Sequence, residues 1–197
     1  EYKSLRRSWE NLADEILSSH EYRSYLNKSG YARGIISSLE LEGASPEEKM
    51  QHLYNYVTAN YTWNGKYRRF TYNKLSDIST RSEAHSSEIN LLLTLLLNEA
   101  GIEAFPMLIS TRSNGVYMKE YPFLTQFNHL IVYAKIGEKE FFLDALDPLR
   151  PYDVLPVEDH IAEGFVLDKK NPRWQAIHTP KNSKEVRNVV LSLSDDE

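Results

Sequence analysis

Three residues far apart in the chain, Ser86, His129 and Asp144, carry side chains that could work together. A hydroxyl becomes a nucleophile when an imidazole takes its proton during attack, and a carboxylate behind the ring holds it in the useful tautomer. Ser86 stands just before a leucine-rich run, Ile89 to Leu97, at a helix start whose unpaired amides and positive dipole end favour a developing anion. The same position suits a serine that only caps its helix, with Glu88 complementing the dipole. His129 lies in Phe127-Asn128-His129-Leu130 and Asp144 in Phe142-Leu143-Asp144-Ala145, within two strand-like runs, Phe127–Ile136 and Lys139–Leu146, separated by Gly137-Glu138. A two-residue turn pairs Ile136 with Lys139 and sets Asp144 on the face of His129, two positions along; a three-residue turn puts Asp147 opposite His129 and turns Asp144 away. Spacing alone leaves both registers open, and a half-buried strand histidine with an ordinary hydrogen bond fits the same residues.

Composition narrows the chemistry further. The 197 residues contain no cysteine, which removes thiolate nucleophiles, disulfides, cysteine zinc sites and iron–sulfur clusters together. Lys and Arg total 23 against 28 Asp and Glu, a net charge of -5 that lacks the basic excess phosphate neutralisation requires, so nucleic acid is not an expected partner. No His-Glu-x-x-His is present and His20, His52, His160 and His178 show no ligand spacing, so no metal is expected; no phosphate loop or dinucleotide fingerprint occurs, so no cofactor is expected. The longest apolar run, Ile89 to Leu97, falls far short of the roughly 20 residues that span a bilayer. Length favours one domain with a substantial core, and with Glu1 in place of Met a processed or excised piece is expected.

The elements that must position these residues follow from apolar spacing. Leu5, Trp9, Leu12, Ile16 and Leu17 predict an amphipathic helix over 4–19, and Tyr22 to Leu39 predicts one or two short helices joined by turns at Gly30 and Gly34. Ser45-Pro46-Glu47-Glu48 is a capping box with a first-turn proline, followed by Met50, Leu53, Tyr54, Val57 and Tyr61 on one stripe. From Thr62 to Ser82 no period survives and a long loop is expected; its Trp63 to Phe70 segment, basic and aromatic, suits either contact with a partner or cover for the core edge. Ile89 to Leu97 is apolar around nearly its whole circumference, which predicts a buried central helix closed by Ala100-Gly101. A strand over 104–111, a turn at Ser113-Asn114-Gly115, the hairpin, a proline-rich loop after Pro148 and short strands at 164–168, 174–178 and 186–193 follow, with a loose acidic tail over 194–197. Helices first and antiparallel strands afterwards make an α+β pattern.

In combination these residues resemble a known family. A small reactive residue heading a leucine-rich helix that ends in Ala-Gly-Ile, then a strand, Phe-Asn-His, a Gly turn and Leu-Asp-Ala-x-Asp-Pro, is similar to the bacterial transglutaminase-like superfamily over about 45–156. In particular the pattern looks like the core domain that lies between two β-rich domains in larger bacterial proteins. The resemblance implies a papain-like α+β fold: N-terminal helices over 1–44 and a buried central helix on an antiparallel sheet in a core over 45–156. Residues 157–197 would be extra strands or a link to a following domain.

The resemblance also implies roles. The family's cysteine nucleophile falls on Ser86, its histidine base on His129 and its orienting aspartate on Asp144, which selects the two-residue turn; Asp147 belongs to the trailing Asp-Pro. Trp63 takes the place of an aromatic that supports the oxyanion in some relatives. Apart from the resemblance, His85 beside Ser86 suits either tuning the site or binding substrate, or a plain exposed first-turn histidine. The implied partner is a peptide or protein amide, with flanking β-rich domains and an exported location. Serine in place of cysteine separates two readings, because a hydroxyl is almost never ionised near neutrality and its proton must leave during attack. One is a Ser-His-Asp peptidase or amidase transferring an acyl group to water. The other is an inactive module that holds a peptide, glycan or neighbouring domain in the old cleft.

Overall fold

A computed structural model describes residues 8–178 except 72 and 82. Six helices precede or contain the first candidate residue: α1 (Trp9–Ser18), α2 (His20–Leu26), α3 (Ser29–Ser37), α4 (Pro46–Asn60), α5 (Leu75–Arg81) and α6 (Ser86–Glu99). Seven strands complete the described chain: β1 (Thr62–Trp63), β2 (Glu83–Ala84), β3 (Glu103–Ile109), β4 (His129–Ile136), β5 (Lys139–Leu143), β6 (Glu163–Val166) and β7 (Arg173–Ala176). β3 to β7 form one antiparallel sheet in the order β5-β4-β3-β6-β7. The architecture is the expected α+β fold, with helices and a buried central helix on an antiparallel sheet.

The central helix organises the rest. Every residue of α6 from Ser86 to Leu97 is buried. It packs on β3 and β4 with one side and on α2, α3 and α4 with others, which is why its leucines leave no polar face. Leu130, Val132 and Ala134 of β4 join this core, whereas the alternating Ile131 and Tyr133 belong to a second cluster on the opposite sheet face with Met107, Ile109, Phe142 and Val166. α6 ends at Ala100 and Gly101, whose φ of 82° lets the chain reverse into β3. α4 carries the expected capping box: Ser45 Oγ accepts from Glu48 N at 3.3 Å and Glu48 Oε2 accepts from Ser45 N at 2.7 Å.

The hairpin settles the register. Ile136 pairs with Lys139 across Gly137 (φ 60°) and Glu138, and Val132 with Leu143, so the turn has two residues. Gly164 of β6 also has a strict requirement, since a Cβ there would lie 2.7 Å from Ile109 Cγ2 and 2.9 Å from the Leu108 carbonyl oxygen. The strand could not approach β3 with any larger residue.

Several expectations need correction. The first helix begins after Ser8, whose side chain accepts from Asn11 N, and Leu5 lies outside the described residues. Gly30 and Gly34 sit inside α3 rather than at turns; helix packing against α6 overrides their weak propensity. The expected loop over 62–82 contains β1, α5 and β2. β1 and β2 are a two-residue parallel pair, too short to show a period, and α5 buries Leu75 and Ile78, three apart, with Asp77 Oδ2 accepting from Lys74 N to start the turn. The strand expected over 186–193 and the tail over 194–197 lie outside the described residues.

Candidate active site

Ser86, His129 and Asp144 come from three elements: the first turn of α6, the first residue of β4, and the residue just past β5. Their side chains meet. Ser86 Oγ is 3.0 Å from His129 Nδ1, and His129 Nε2 is 3.3 Å from Asp144 Oδ1. The antiparallel ladder of β4 and β5 fixes the last two relative to each other, and packing of α6 on β4 brings Ser86 to the ring.

The sequence offered Ser86 a capping role, which the structure gives to another residue. The N-cap of α6 is His85, whose backbone N–H donates to Glu88 Oε2 at 3.1 Å. Ser86 instead bonds across to the loop after β1: its Oγ accepts from Arg68 N at 2.8 Å and can donate to Arg68 O at 3.2 Å. Its own N–H donates to Lys66 O at 3.2 Å. With Nε2–H turned toward Asp144, the Nδ1 lone pair of His129 is also available to the Ser86 proton, so the single hydroxyl hydrogen has two competing acceptors.

Asp144 is held from behind. Asn90, one turn after Ser86 on α6, donates its Nδ2 to Asp144 Oδ1 at 2.7 Å and to Leu130 O at 2.9 Å, while its Oδ1 accepts from Ala145 N at 3.0 Å. Tyr54 of α4 donates its hydroxyl to the Asp144 carbonyl at 3.1 Å. A fourth polar residue, Asp159, reaches the cluster from a single 3-10 turn at Val157–Asp159, placing Oδ2 3.8 Å from His129 Nε2. Burial, first, and the Asp144 carboxylate beside it push the Asp159 carboxyl well above the usual range. His129 Nε2 is directed squarely at neither carboxylate, and neither oxygen of Asp159 has a hydrogen-bond partner.

The aromatic wall differs from expectation. Tyr67 lies over His129 with ring centroids 4.6 Å apart, and Trp63 packs on Tyr67 at 5.0 Å. The Trp63 indole N–H donates to Lys66 O at 3.1 Å, so Trp63 meets the trio only through Tyr67. Burial, then the carboxylates of Asp159 and Asp144, push the Tyr67 hydroxyl up, which keeps it protonated at neutral pH. His85 turns away from His129: its Nδ1 contacts Ser87 Oγ at 3.1 Å and its Nε2 is 3.5 Å from Glu88 Oε2. Burial lowers its proton affinity despite Glu88.

Access is the remaining property of the site. Ser86 and His129 are 0% exposed and Asp144 4%, because Tyr67 and the Arg68 backbone lie across them. Any molecule that reaches Ser86 must displace this strap.

No protein-family model matches the chain, and no curated protein matches it. Among solved structures, a "putative protease" from Parabacteroides distasonis ATCC 8503 superposes with a TM-score of 0.59 at 18% identity, over 87% of this chain. The two share a fold. The chain spans 30% of that protein's length. Legionella pneumophila LapG, EGTA-treated, overlaps more loosely, with a TM-score of 0.37 and 11% identity over 72% of this chain and 73% of that one, too little to define a common fold. Among the described residues no helix is long and apolar enough to cross a membrane.

Three residues of the site carry little or no signal in the sequence. Asn90 was visible as a polar interruption of an otherwise apolar helix, and such an interruption in a helix buried on all sides demands buried partners. Asp159 had none, since Val157-Glu158-Asp159 reads as surface loop. Tyr67 lay within the aromatic segment already singled out, without a reason to prefer it over Trp63.

Proposed function

We propose that this is a protease-type domain of the transglutaminase-like superfamily, built to act on a peptide or protein amide. Ser86 attacks the carbonyl, His129 takes its proton through Nδ1, and Asp144, held by Asn90, keeps the ring's other proton on Nε2. The imidazolium then gives the Nδ1 proton to the departing amine as the C–N bond breaks, and water, deprotonated by the same ring, hydrolyses the Ser86 ester and restores the hydroxyl. The observation that carries this reading is the run of contacts from Ser86 Oγ to His129 Nδ1 at 3.0 Å and from Nε2 to Asp144 at 3.3 Å. In the closed form the Ser86 N–H, a natural oxyanion donor, is engaged by Lys66, so opening the strap both admits substrate and frees that donor. Tyr67 and Trp63 line the opened wall.

A second reading has its own support. Ser86 Oγ accepts one hydrogen bond from Arg68 and can return another to its carbonyl, the arrangement of a strut rather than of a free nucleophile. On that reading the domain holds a peptide or a neighbouring domain without turnover. A serine-directed fluorophosphonate probe separates the two. Covalent labelling that disappears in Ser86→Ala supports acyl transfer; an unlabelled folded protein that still binds peptide supports the holding module.

A further inference from the structure

Among the described residues no donor pairs with either oxygen of the buried Asp159 carboxyl, whose neighbours are the Asp144 carboxyl, with which it can share only a proton, and an imidazole nitrogen that itself lacks a partner. Such a group is expensive to bury unless something unseen by the rest of the fold satisfies it. One nitrogen of His129 and one oxygen each from Asp144 and Asp159 lie within 4.8 Å of one another, all three residues being buried. The geometry points to a divalent transition-metal site, of the kind that suits Zn²⁺, formed by His129 Nε2, Asp144 and Asp159.

The donor spacing and the ligand types favour zinc over calcium or magnesium, and two further features suit any divalent ion. Zinc holds imidazole and carboxylate ligands at about 2.0–2.2 Å in a tetrahedron, which sets neighbouring ligand atoms roughly 3.4 Å apart. The observed separations from Nε2 are 3.3 Å to Asp144 and 3.8 Å to Asp159, so small side-chain shifts close the set. Calcium and magnesium prefer six or more oxygens, whereas this set offers three atoms including a nitrogen, leaving a fourth position for water. Two carboxylates with a neutral ring also cancel the charge of a divalent ion, which burial requires. Asn90, donating to Asp144 Oδ1, is placed as the outer support that orients a ligand.

Metal on Nε2 changes the ring. A neutral imidazole coordinated through Nε2 carries its one proton on Nδ1, where it donates to Ser86 Oγ and has no lone pair left to receive the hydroxyl proton. Bound zinc therefore silences Ser86. This silencing rests on the acyl-transfer reading above; metal binding itself does not.

The test titrates Zn²⁺ into the chelator-treated chain, with stoichiometry read by equilibrium dialysis and Co²⁺ substituted for its visible four-coordinate bands. One equivalent is expected in the wild type and in Ser86→Ala, and binding more than about 100-fold weaker in Asp159→Asn and His129→Gln. Failure of the wild type to take up one equivalent overturns the site, as does one-equivalent binding that survives both substitutions. If Asp159→Asn does not fold, the wild-type cobalt spectrum and its loss in His129→Gln decide. A protein that takes up zinc but never labels with fluorophosphonate, with or without chelator, keeps the metal site and rejects the catalytic reading.

Discussion

Two fully buried carboxyl side chains stand on either side of the Ser86–His129 contact, and the fold treats them oppositely. Glu88, the third residue of α6, is surrounded: Asn73 Nδ2 donates to it at 2.7 Å, His85 N at 3.1 Å, Tyr25 and Arg81 at 3.4 Å and Thr71 at 3.5 Å. Asp159 has no such partner. Glu88 thus ties α2, the 64–81 segment and the head of α6 into one unit, and holds the helix start where Ser86 must sit. Asp159 adds little to the architecture and has its proton affinity raised. A satisfied buried carboxyl is a structural device, and an unsatisfied one beside an imidazole is, on the reading proposed above, where a proton or a metal is exchanged.

The contrast can be broken at several points. Glu88→Ala strands at least four donors around a void and should destabilise the chain by about 3 kcal/mol, read by urea unfolding. Tyr67→Ala removes the ring over His129 without touching the Glu88 network. It should leave stability closer to wild type while raising the rate of fluorophosphonate labelling roughly tenfold, equivalent to about 1.4 kcal/mol of opening free energy.

Asp159→Asn should do the reverse of Glu88→Ala and stabilise the metal-free protein at neutral pH by about 1 kcal/mol, since an unsatisfied carboxyl is replaced by a neutral amide. The pH dependence sharpens this. An acid whose folded-state proton affinity is raised lends its full stability below its unfolded pKa of about 4 and loses it as pH rises toward the folded value. The wild type should therefore lose stability relative to Asp159→Asn as pH climbs from about 4 toward neutrality, with the difference read from paired urea titrations in chelator. Equal curves would show that Asp159 is not the strained group. Lys139→Ala, which removes an exposed ion pair to Glu47 far from both carboxyls, should change stability by less than about 1 kcal/mol.

The sequence exposed long, strongly patterned features and concealed short ones. The capping box of α4, the all-round apolar α6 and the Gly137-Glu138 hairpin were legible because each is a local rule written over adjacent residues. The placement of Ser86 beside His129 was not legible from spacing, since it depends on α6 crossing β4. It came instead from the order of motifs along the chain. Two-residue strands and the seven-residue α5 carry too few residues for a period, so the 62–82 segment read as loop although it supplies the strap over Ser86. Asp159 was invisible for a different reason: a carboxyl in a surface-like Val-Glu-Asp becomes buried only through tertiary approach.

On the proposed reading, His129 acts on whatever side chain occupies position 86. The most direct measurement is the pH profile of iodoacetamide alkylation in Ser86→Cys and in Ser86→Cys combined with His129→Ala, with the denatured chain as control. The account predicts an inflection well below the ordinary thiol value of about 8.5 in the single variant, returning to that value when His129 is removed. An inflection at the ordinary value in both chains would contradict it, and would leave Ser86 as a strut between α6 and Arg68.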